Sequence, residues 1–397
     1  MRDFILMHKD IPVLTVSLTE TNKINKITEI LSEEHKPLNM QSNENQEVAL
    51  SEFMQHRSIP NTRQNLSAIL SAYQASDSLE LSIKSYQLSI SDHYWIKPIN
   101  SSVSWDNVNF FTNTFKNAPI FMNNQEQADI NLITPNSSVN GSLRQMWIKE
   151  NNKLILLKAG NTLNLEPFNE VFVSKLLDQT NIKHVKYDLK QINNEYVSAC
   201  EAFTNKDIEF IPAWCIAGKL NPRENKYKAL LNQCTKLNIP GCQKDLDTML
   251  AIDYLTLNDD RHWGNFGFLR DSSTLAFKDM APIFDNGNTL WYNQYKININ
   301  KPFHSYMAQP FSSTHEKQIK YIQSDLTDIN IKGIIKTAPK LMKTIYSKNE
   351  IVSSERLQIM KDLFIKRALL LEEKLEKVKN KQSDQLSSKI EKPKLFY

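Results

Sequence analysis

The stretch that decides the fold is Asn258-Asp259-Asp260-Arg261-His262-Trp263-Gly264-Asn265-Phe266-Gly267-Phe268, followed twenty positions after Asn265 by Phe284-Asp285-Asn286-Gly287. As chemistry it offers an Asp able to take a proton, an Asn five residues on, and a second Asp beyond a predicted hairpin. The chain has eight glycines in 397 residues, and Gly264, Gly267 and Gly287 all fall in this window. In a chain so poor in glycine, that clustering points to backbone turns imposed by a site.

Outward from the window, the second half reads as helical. Lys226 to Leu237, Lys244 to Leu257 and Ser354 to Val378 carry apolar residues at helical spacing. Phe266 to Leu269 and Leu275 to Lys278 read as a hairpin. Upstream, residues 130–133 read as a short strand. Gln145 to Lys149 and Lys153 to Lys158 read as a second hairpin through a polar turn, and Tyr196 to Cys200 as another strand. Glu166-Pro167 opens a helix with Phe168, Val171, Phe172 and Leu176 on one face. Near the N-terminus, Phe4 to Val16 has strand composition with a turn or edge at Asp10-Ile11-Pro12, Leu66 to Tyr73 suits a short helix, and Leu79 to Ile96 alternates as a strand would. His35 to Asn65 is polar and reads as a long loop with little core. Strands first and helices after predict a bilobal α+β architecture. The predicted units are an N-terminal subdomain over 1–128, a strand-rich lobe over 129–206, a helical lobe over 207–378 and a disordered basic tail over 379–397.

Composition narrows the function. A net charge of +4, with no basic stripe interleaved with aromatics, gives no case for direct nucleic-acid binding. Cys200, Cys215, Cys234 and Cys242 stand singly, as reduced thiols rather than a disulfide framework or a cysteine zinc site. No signal-peptide core and no run of ~18 apolar residues is present, so a cytoplasmic protein is expected, with specialised secretion into a host left open.

Phosphoryl transfer from ATP needs a loop over the phosphates, a cation, metal ions and a base aligned on the acceptor hydroxyl. Asp260 suits the base, and Asn265 and Asp285 supply the hard oxygens that magnesium prefers. Adjacent Asp259 competes for the first role, and Asp279 for the metal role without the Phe-Asp context. Gly141 and Ser142 lie in a loop where backbone N–H groups could approach phosphate, though a lone glycine in a polar turn is ordinarily structural. Lys158 ends an otherwise apolar strand, and Glu170 follows twelve residues later on the next helix. Read alone, Lys158 is a snorkelling surface lysine and Glu170 a solvated helix residue. His262 reads as a packing histidine, and His8, His35, His56, His93, His184, His304 and His315 form no ligand spacing. That spacing argues against a metal-dependent phosphohydrolase built on Asp259, Asp260, His262 and Asp285.

With these residues in place, the chain resembles the HipA-like kinases, a bacterial branch of the protein-kinase-like fold, over roughly residues 130–375. The shared pattern is Asp260-Arg261-His262-Trp263-Gly264-Asn265 with the later Ile283-Phe284-Asp285. Ile155-Leu156-Leu157-Lys158 is similar to the family's ATP-lysine strand, and Glu166-Pro167-Phe168-Asn169-Glu170 to its acidic helix. Ser198-Ala199-Cys200-Glu201-Ala202-Phe203 is similar to the hinge that meets adenine, with Glu201 and Phe203 as backbone contacts. The resemblance implies a bilobal HipA-type fold, ATP and magnesium as cofactors, a Ser/Thr protein substrate, and an antitoxin or other regulatory partner of a toxin, growth regulator or effector. The chain departs from the family at Ser138-Val139-Asn140-Gly141-Ser142-Leu143-Arg144-Gln145. There the glycine stands without the family's Gln and Lys, leaving Ser137, Ser138 and Ser142 as candidates only for autophosphorylation. Asp-Arg-His-x-x-Asn also resembles the catalytic loop of phosphoinositide kinases, which keeps a lipid acceptor open. The altered loop keeps a non-catalytic nucleotide-binding module open as well.

Overall fold

The computed structural model describes residues 1–41, 43–116, 119–122, 132–217, 223–326 and 329–390. Strands β1 (Arg2–His8) and β2 (Ile11–Leu18) form a hairpin that turns at Lys9-Asp10, with Ile11 and Pro12 already in β2. With β3 (Ile24–Ile30) and, later, β4 (Tyr94–Pro98) they make an antiparallel sheet in the order β3-β2-β1-β4. Between β3 and β4 come helices α1 (Leu38–Gln41), α2 (Gln46–His56), α3 (Leu66–Ala72) and α4 (Ser78–Lys84), and α5 (Trp105–Val108) follows β4.

Two expectations for this region fail. His35 to Asn65 is not a coreless loop. The Asn45 side chain accepts from the Val48 N–H (3.0 Å) and caps α2, whose Ala49, Leu50, Phe53 and Met54 pack under the sheet. The stretch from Leu79 is not one strand to Ile96. The Asp77 carboxylate caps α4 by accepting from the Glu80 N–H (2.8 Å), so Leu81 and Ile83 are buried from a helix. Over so few residues, apolar alternation does not distinguish the two periods, and the cap decides.

The second sheet, in the order β5-β6-β8-β7, is built from β5 (Gln145–Glu150), β6 (Lys153–Lys158), β7 (Tyr187–Ile192) and β8 (Glu195–Glu201). Helix α6 (Glu166–Leu177) packs behind it, with Phe168, Phe172 and Leu176 fully buried. Each such phenylalanine contributes about 1.5–3 kcal/mol relative to exposure. The strand expected at 130–133 falls half outside the described residues, and Leu132 and Ile133 are not in a strand.

A third, three-stranded sheet, β11-β10-β9, comprises β9 (Ile208–Pro212), β10 (Gly267–Asp271) and β11 (Phe277–Met280). A β-carbon on Gly267 would lie 2.2 Å from the Ile211 carbonyl, so this pairing requires glycine. The helices of the larger lobe are α7 (Ala213–Ala217), α8 (Lys226–Lys236), α9 (Cys242–Thr256), α10 (His315–Gln318), α11 (Ile331–Tyr346) and α12 (Ser354–Ile390). Helix α12 runs on to Ile390, past the tail expected from 379, while residues 391–397 lie outside the described residues. All four cysteines are free and buried. No described helix is long and apolar enough to cross a membrane.

The N-terminal subdomain is fused to the smaller lobe rather than tethered to it. Ile69, Tyr73 and Leu81 share one core with Met146, Ile148 and Leu157. The faces that meet are apolar on both sides, so separating them would expose a core to water.

Candidate active site

All nine residues singled out for chemistry line one cavity of about 610 Å³ between the lobes: Gly141, Ser142, Lys158, Glu170, Glu201, Phe203, Asp260, Asn265 and Asp285. The centre of the constellation is Lys158. As the last residue of β6 it points its ammonium away from bulk water, 2.6 Å from Glu170 Oε1 and in contact with Asp285 Oδ1. Neither the snorkelling lysine nor the solvated glutamate describes this pair, since the Glu170 side chain is 1 % exposed. Glu170 Oε2 in turn accepts from the Asn286 N–H (2.8 Å), tying α6 to the segment that carries Asp285.

Burial opposes a charged lysine, but the carboxylates of Asp285 and Glu170 outweigh it and hold the Lys158 ammonium above its ordinary pKa. Burial likewise raises the Asp285 carboxyl, yet Lys158 reverses this and holds it below the usual range. Glu170 is drawn both ways, and burial with the nearby Asp285 charge prevails over Lys158 to place it above its ordinary value. Asp285 also sits at φ 55°, a left-handed conformation costly for a residue other than glycine. The left-handed residue of this segment is Asp285 and not Gly287, where a β-carbon would lie 3.1 Å from Glu166 Cβ.

The loop after α9 is organised by Arg261. Its guanidinium, fully buried, holds Asp253 of α9 (Nη2 to Oδ1, 2.9 Å) and donates to the carbonyls of Asn265 (2.8 Å) and Phe284 (2.5 Å) and to Asn286 Oδ1 (2.7 Å). One side chain therefore links the helix, the Asp260–Asn265 loop and the Asp285 segment. The Asn265 amide nitrogen donates to the Asp260 carbonyl (3.0 Å), which leaves its oxygen as the group able to meet a cation. Asp260 Oδ2 accepts from Asn288 Nδ2 (2.9 Å). Burial raises the Asp260 carboxyl above its ordinary pKa, against the pull of His262, with Asp285 adding to the rise.

The rivals separate in space. Asp259 faces a neighbouring recess of about 120 Å³ with Trp291, Tyr292 and Lys301, and burial beside Asp260 raises its pKa to about 6. Asp279 pairs with Lys183 (2.9 Å) on β11, away from the cavity. His262 lines the cavity, and its Nδ1 accepts from the Gly264 N–H (3.0 Å). Among the described residues, the window forms no group of three His, Cys, Asp or Glu at metal-ligand spacing.

The loop at Gly141 is held from the N-terminal subdomain. Arg63 donates to the carbonyls of Gly141 (2.6 Å) and Val139 (2.6 Å), and the Gln64 N–H donates to the Ser142 carbonyl (2.8 Å). Gly141 has φ 117°, where a β-carbon would also lie 2.5 Å from Gln145 Nε2. Its N–H is committed to Asn140 Oδ1 (2.8 Å). Ser137 and Ser138 are buried and donate to the Thr134 (2.9 Å) and Leu88 (2.7 Å) carbonyls, whereas Ser142 is exposed. At the hinge, the Ala202 N–H donates to Leu154 O (2.9 Å), and the Glu201 side chain pairs with Lys153 (2.6 Å).

Sequence reasoning passed over Arg261, Asp253 and Asn288 as parts of the site. It also passed over Asn169, which donates to the Gly287 (2.9 Å) and Thr289 (2.7 Å) carbonyls and accepts from the Tyr346 hydroxyl (2.6 Å). Arg261 was legible only as an arginine directly after the candidate base Asp260. Asn169 had no signal, because its partners lie more than a hundred residues away.

No family's sequence profile and no curated protein sequence matches the chain. Solved structures do. The Helicobacter pylori proinflammatory kinase CtkA matches at TM-score 0.43 and 19% identity, over 61% of this chain and 95% of that one. Shewanella oneidensis MR-1 HipA, solved with HipB and its operator DNA, matches at TM-score 0.57 and 11% identity, over 95% of this chain and 99% of HipA. The expectation of no direct nucleic-acid contact gains no support from the latter. The chain has the bilobal, protein-kinase-like fold of HipA.

Proposed function

We propose that the chain is an ATP- and magnesium-dependent kinase that phosphorylates a serine or threonine of a protein substrate. The observation that carries this reading is the Lys158 ammonium bridging Glu170 and Asp285 in the cavity that also holds Asp260 and Asn265. Lys158 orients the phosphates, Glu170 holds Lys158, and Glu201 and Phe203 offer hinge backbone to the base. Asn265 and Asp285 hold magnesium, whose donor set of carboxylate and amide oxygen fits a hard cation. Bound magnesium supplies positive charge to the phosphate oxygens. Asp260 accepts the proton of the acceptor hydroxyl as its oxygen bonds to the γ-phosphorus, and ADP leaves with the electrons of the broken P–O bond. The resemblance to HipA extends the proposal to a cytoplasmic toxin, growth regulator or effector with an antitoxin-type partner.

The test is transfer from γ-labelled ATP to a protein lysate, with lipid vesicles as the parallel acceptor. Wild type should label protein, and Asp260→Asn and Asp285→Asn should not while remaining folded. Labelling of lipid alone would replace the protein substrate by a phosphoinositide. Activity retained in both variants would remove the assignment. One observation favours a second reading, a nucleotide-binding module without turnover: Asn140 already occupies the Gly141 N–H that a phosphate would use. Wild type that binds Mg-ATP without turnover would support it.

A further inference from the structure

Apart from the cleft, three acceptor-rich side chains converge at the junction between the N-terminal subdomain and the helical lobe. His8 ends β1, His93 precedes β4, and Glu209 lies in β9; all three are fully buried. One ring nitrogen from each histidine and one Glu209 oxygen lie within 4.8 Å of one another. His8 Nε2 is 3.2 Å from Glu209 Oε2. Two ligands about 2.0–2.1 Å from a tetrahedral ion stand about 3.4 Å apart, so that pair is already at ligand spacing.

The hydrogen bonds around the cluster leave a vacancy of chemistry at His93. Its Nε2 lies 2.8 Å from the Asn205 carbonyl, which can only accept, so Nε2 carries the proton. The uncharged ring then has a bare lone pair at Nδ1, and this buried atom has no hydrogen-bond partner. A histidine whose second nitrogen donates to a backbone carbonyl is the usual form of a metal ligand. His8 Nδ1 lies 2.8 Å from Nδ1 of His35, and with His8 as the donor of that bond its Nε2 is the bare nitrogen facing Glu209. Glu209 keeps Oε1 on Arg270 Nε (2.8 Å). That leaves Oε2 as the carboxylate oxygen facing His8 Nε2 (3.2 Å), and it also accepts from the backbone N–H of His93 (3.3 Å).

We propose that His8, His93 and Glu209 form a site for one divalent transition-metal ion, of the zinc class, that clamps the N-terminal subdomain to β9. Imidazole with a single carboxylate suits zinc and its first-row neighbours rather than magnesium, which separates this site from the cleft. The ligands are 85 and 116 residues apart along the chain, so sequence spacing shows nothing of them. The cysteines take no part.

The full chain, stripped by chelator, is incubated with zinc, desalted and measured for metal. Cobalt loading is followed by visible absorption. Wild type should hold about one zinc per chain, show the cobalt bands of a nitrogen–oxygen site, and melt at a higher temperature with zinc than without. His93→Gln should lose at least about tenfold in bound zinc, whereas Asp285→Asn should retain it. No zinc above buffer level in wild type, or equal zinc in His93→Gln, overturns the site. Should His93→Gln fail to fold, absence of the wild-type cobalt bands overturns it as well. None of these readouts depends on phosphoryl transfer.

Discussion

Replacing Arg261 by methionine tests whether one buried guanidinium organises the whole site. Methionine keeps an unbranched apolar stem and removes the guanidinium. Asp253, whose side chain is fully buried, would lose the cation that balances it. Breaking a buried ion pair from one side costs about 3–5 kcal/mol. The carbonyls of Asn265 and Phe284 and the Asn286 amide oxygen would lose donors too. Each orphaned acceptor costs about 1–3 kcal/mol, but relaxation and water make the losses less than additive. A loss of about 5 kcal/mol is therefore expected. In urea, followed by tryptophan fluorescence, that corresponds to a midpoint lower by roughly 1–2 M. Pairing the change with Asp253→Leu removes the stranded carboxylate and should restore about 2–3 kcal/mol. Phosphoryl transfer should stay lost in the double variant, because nothing then ties the Asp260–Asn265 loop to the Asp285 segment. A single variant within about 1 kcal/mol of wild type, or a double variant no more stable than the single, would refute the keystone argument.

Other consequences are as direct. Lys158→Ala removes the cation proposed to orient the phosphates and strands buried Glu170, so turnover should fall steeply and stability by about 3 kcal/mol, read by transfer assay and thermal melt. Gly141→Ala forces a β-carbon at φ 117° and against Gln145; about 1–2 kcal/mol of strain and weaker Mg-ATP binding by calorimetry are expected. Burial, with Arg367 adding, holds His315 well below its ordinary pKa. Its folded pKa is depressed, so its contribution to stability is complete above about pH 6.5 and declines as pH falls toward the folded value, by up to about 1.4 kcal/mol per pH unit. His315→Leu should flatten that part of the stability–pH curve, and an unchanged slope between pH 7 and 5 would exclude the effect.

What could be read from the chain follows physical range. The hairpin at β5 and β6 and the helices α6, α8, α9 and α12 were legible because their periodicity and caps are local. The convergence of Asp260, Asn265 and Asp285 on one cavity was legible because the three stand in one short window of the chain. Helix α2 was missed because its polar face hid four buried residues, and α4 because its apolar positions also alternate. β7 and β9 carry charges between their apolar residues, which hid both; β7 pairs with the adjacent β8, and β9 becomes a strand through β10, far along the chain.

By itself, then, the sequence determined the order of the lobes and the identity of the residues able to take a proton, hold a phosphate or bind a hard cation. Tertiary structure decided which of them act together. Lys158 is a buried bridge rather than a surface lysine because α6 and the Asp285 segment close on it, and Asp260 rather than Asp259 faces Lys158 because Arg261 and Asn288 fix the loop's direction. The same folding brings His8, His93 and Glu209 together from separate units. Local chemistry is written in spacing along the chain. Charge compensation and burial depend on distances through space, and those exist only once the lobes have packed.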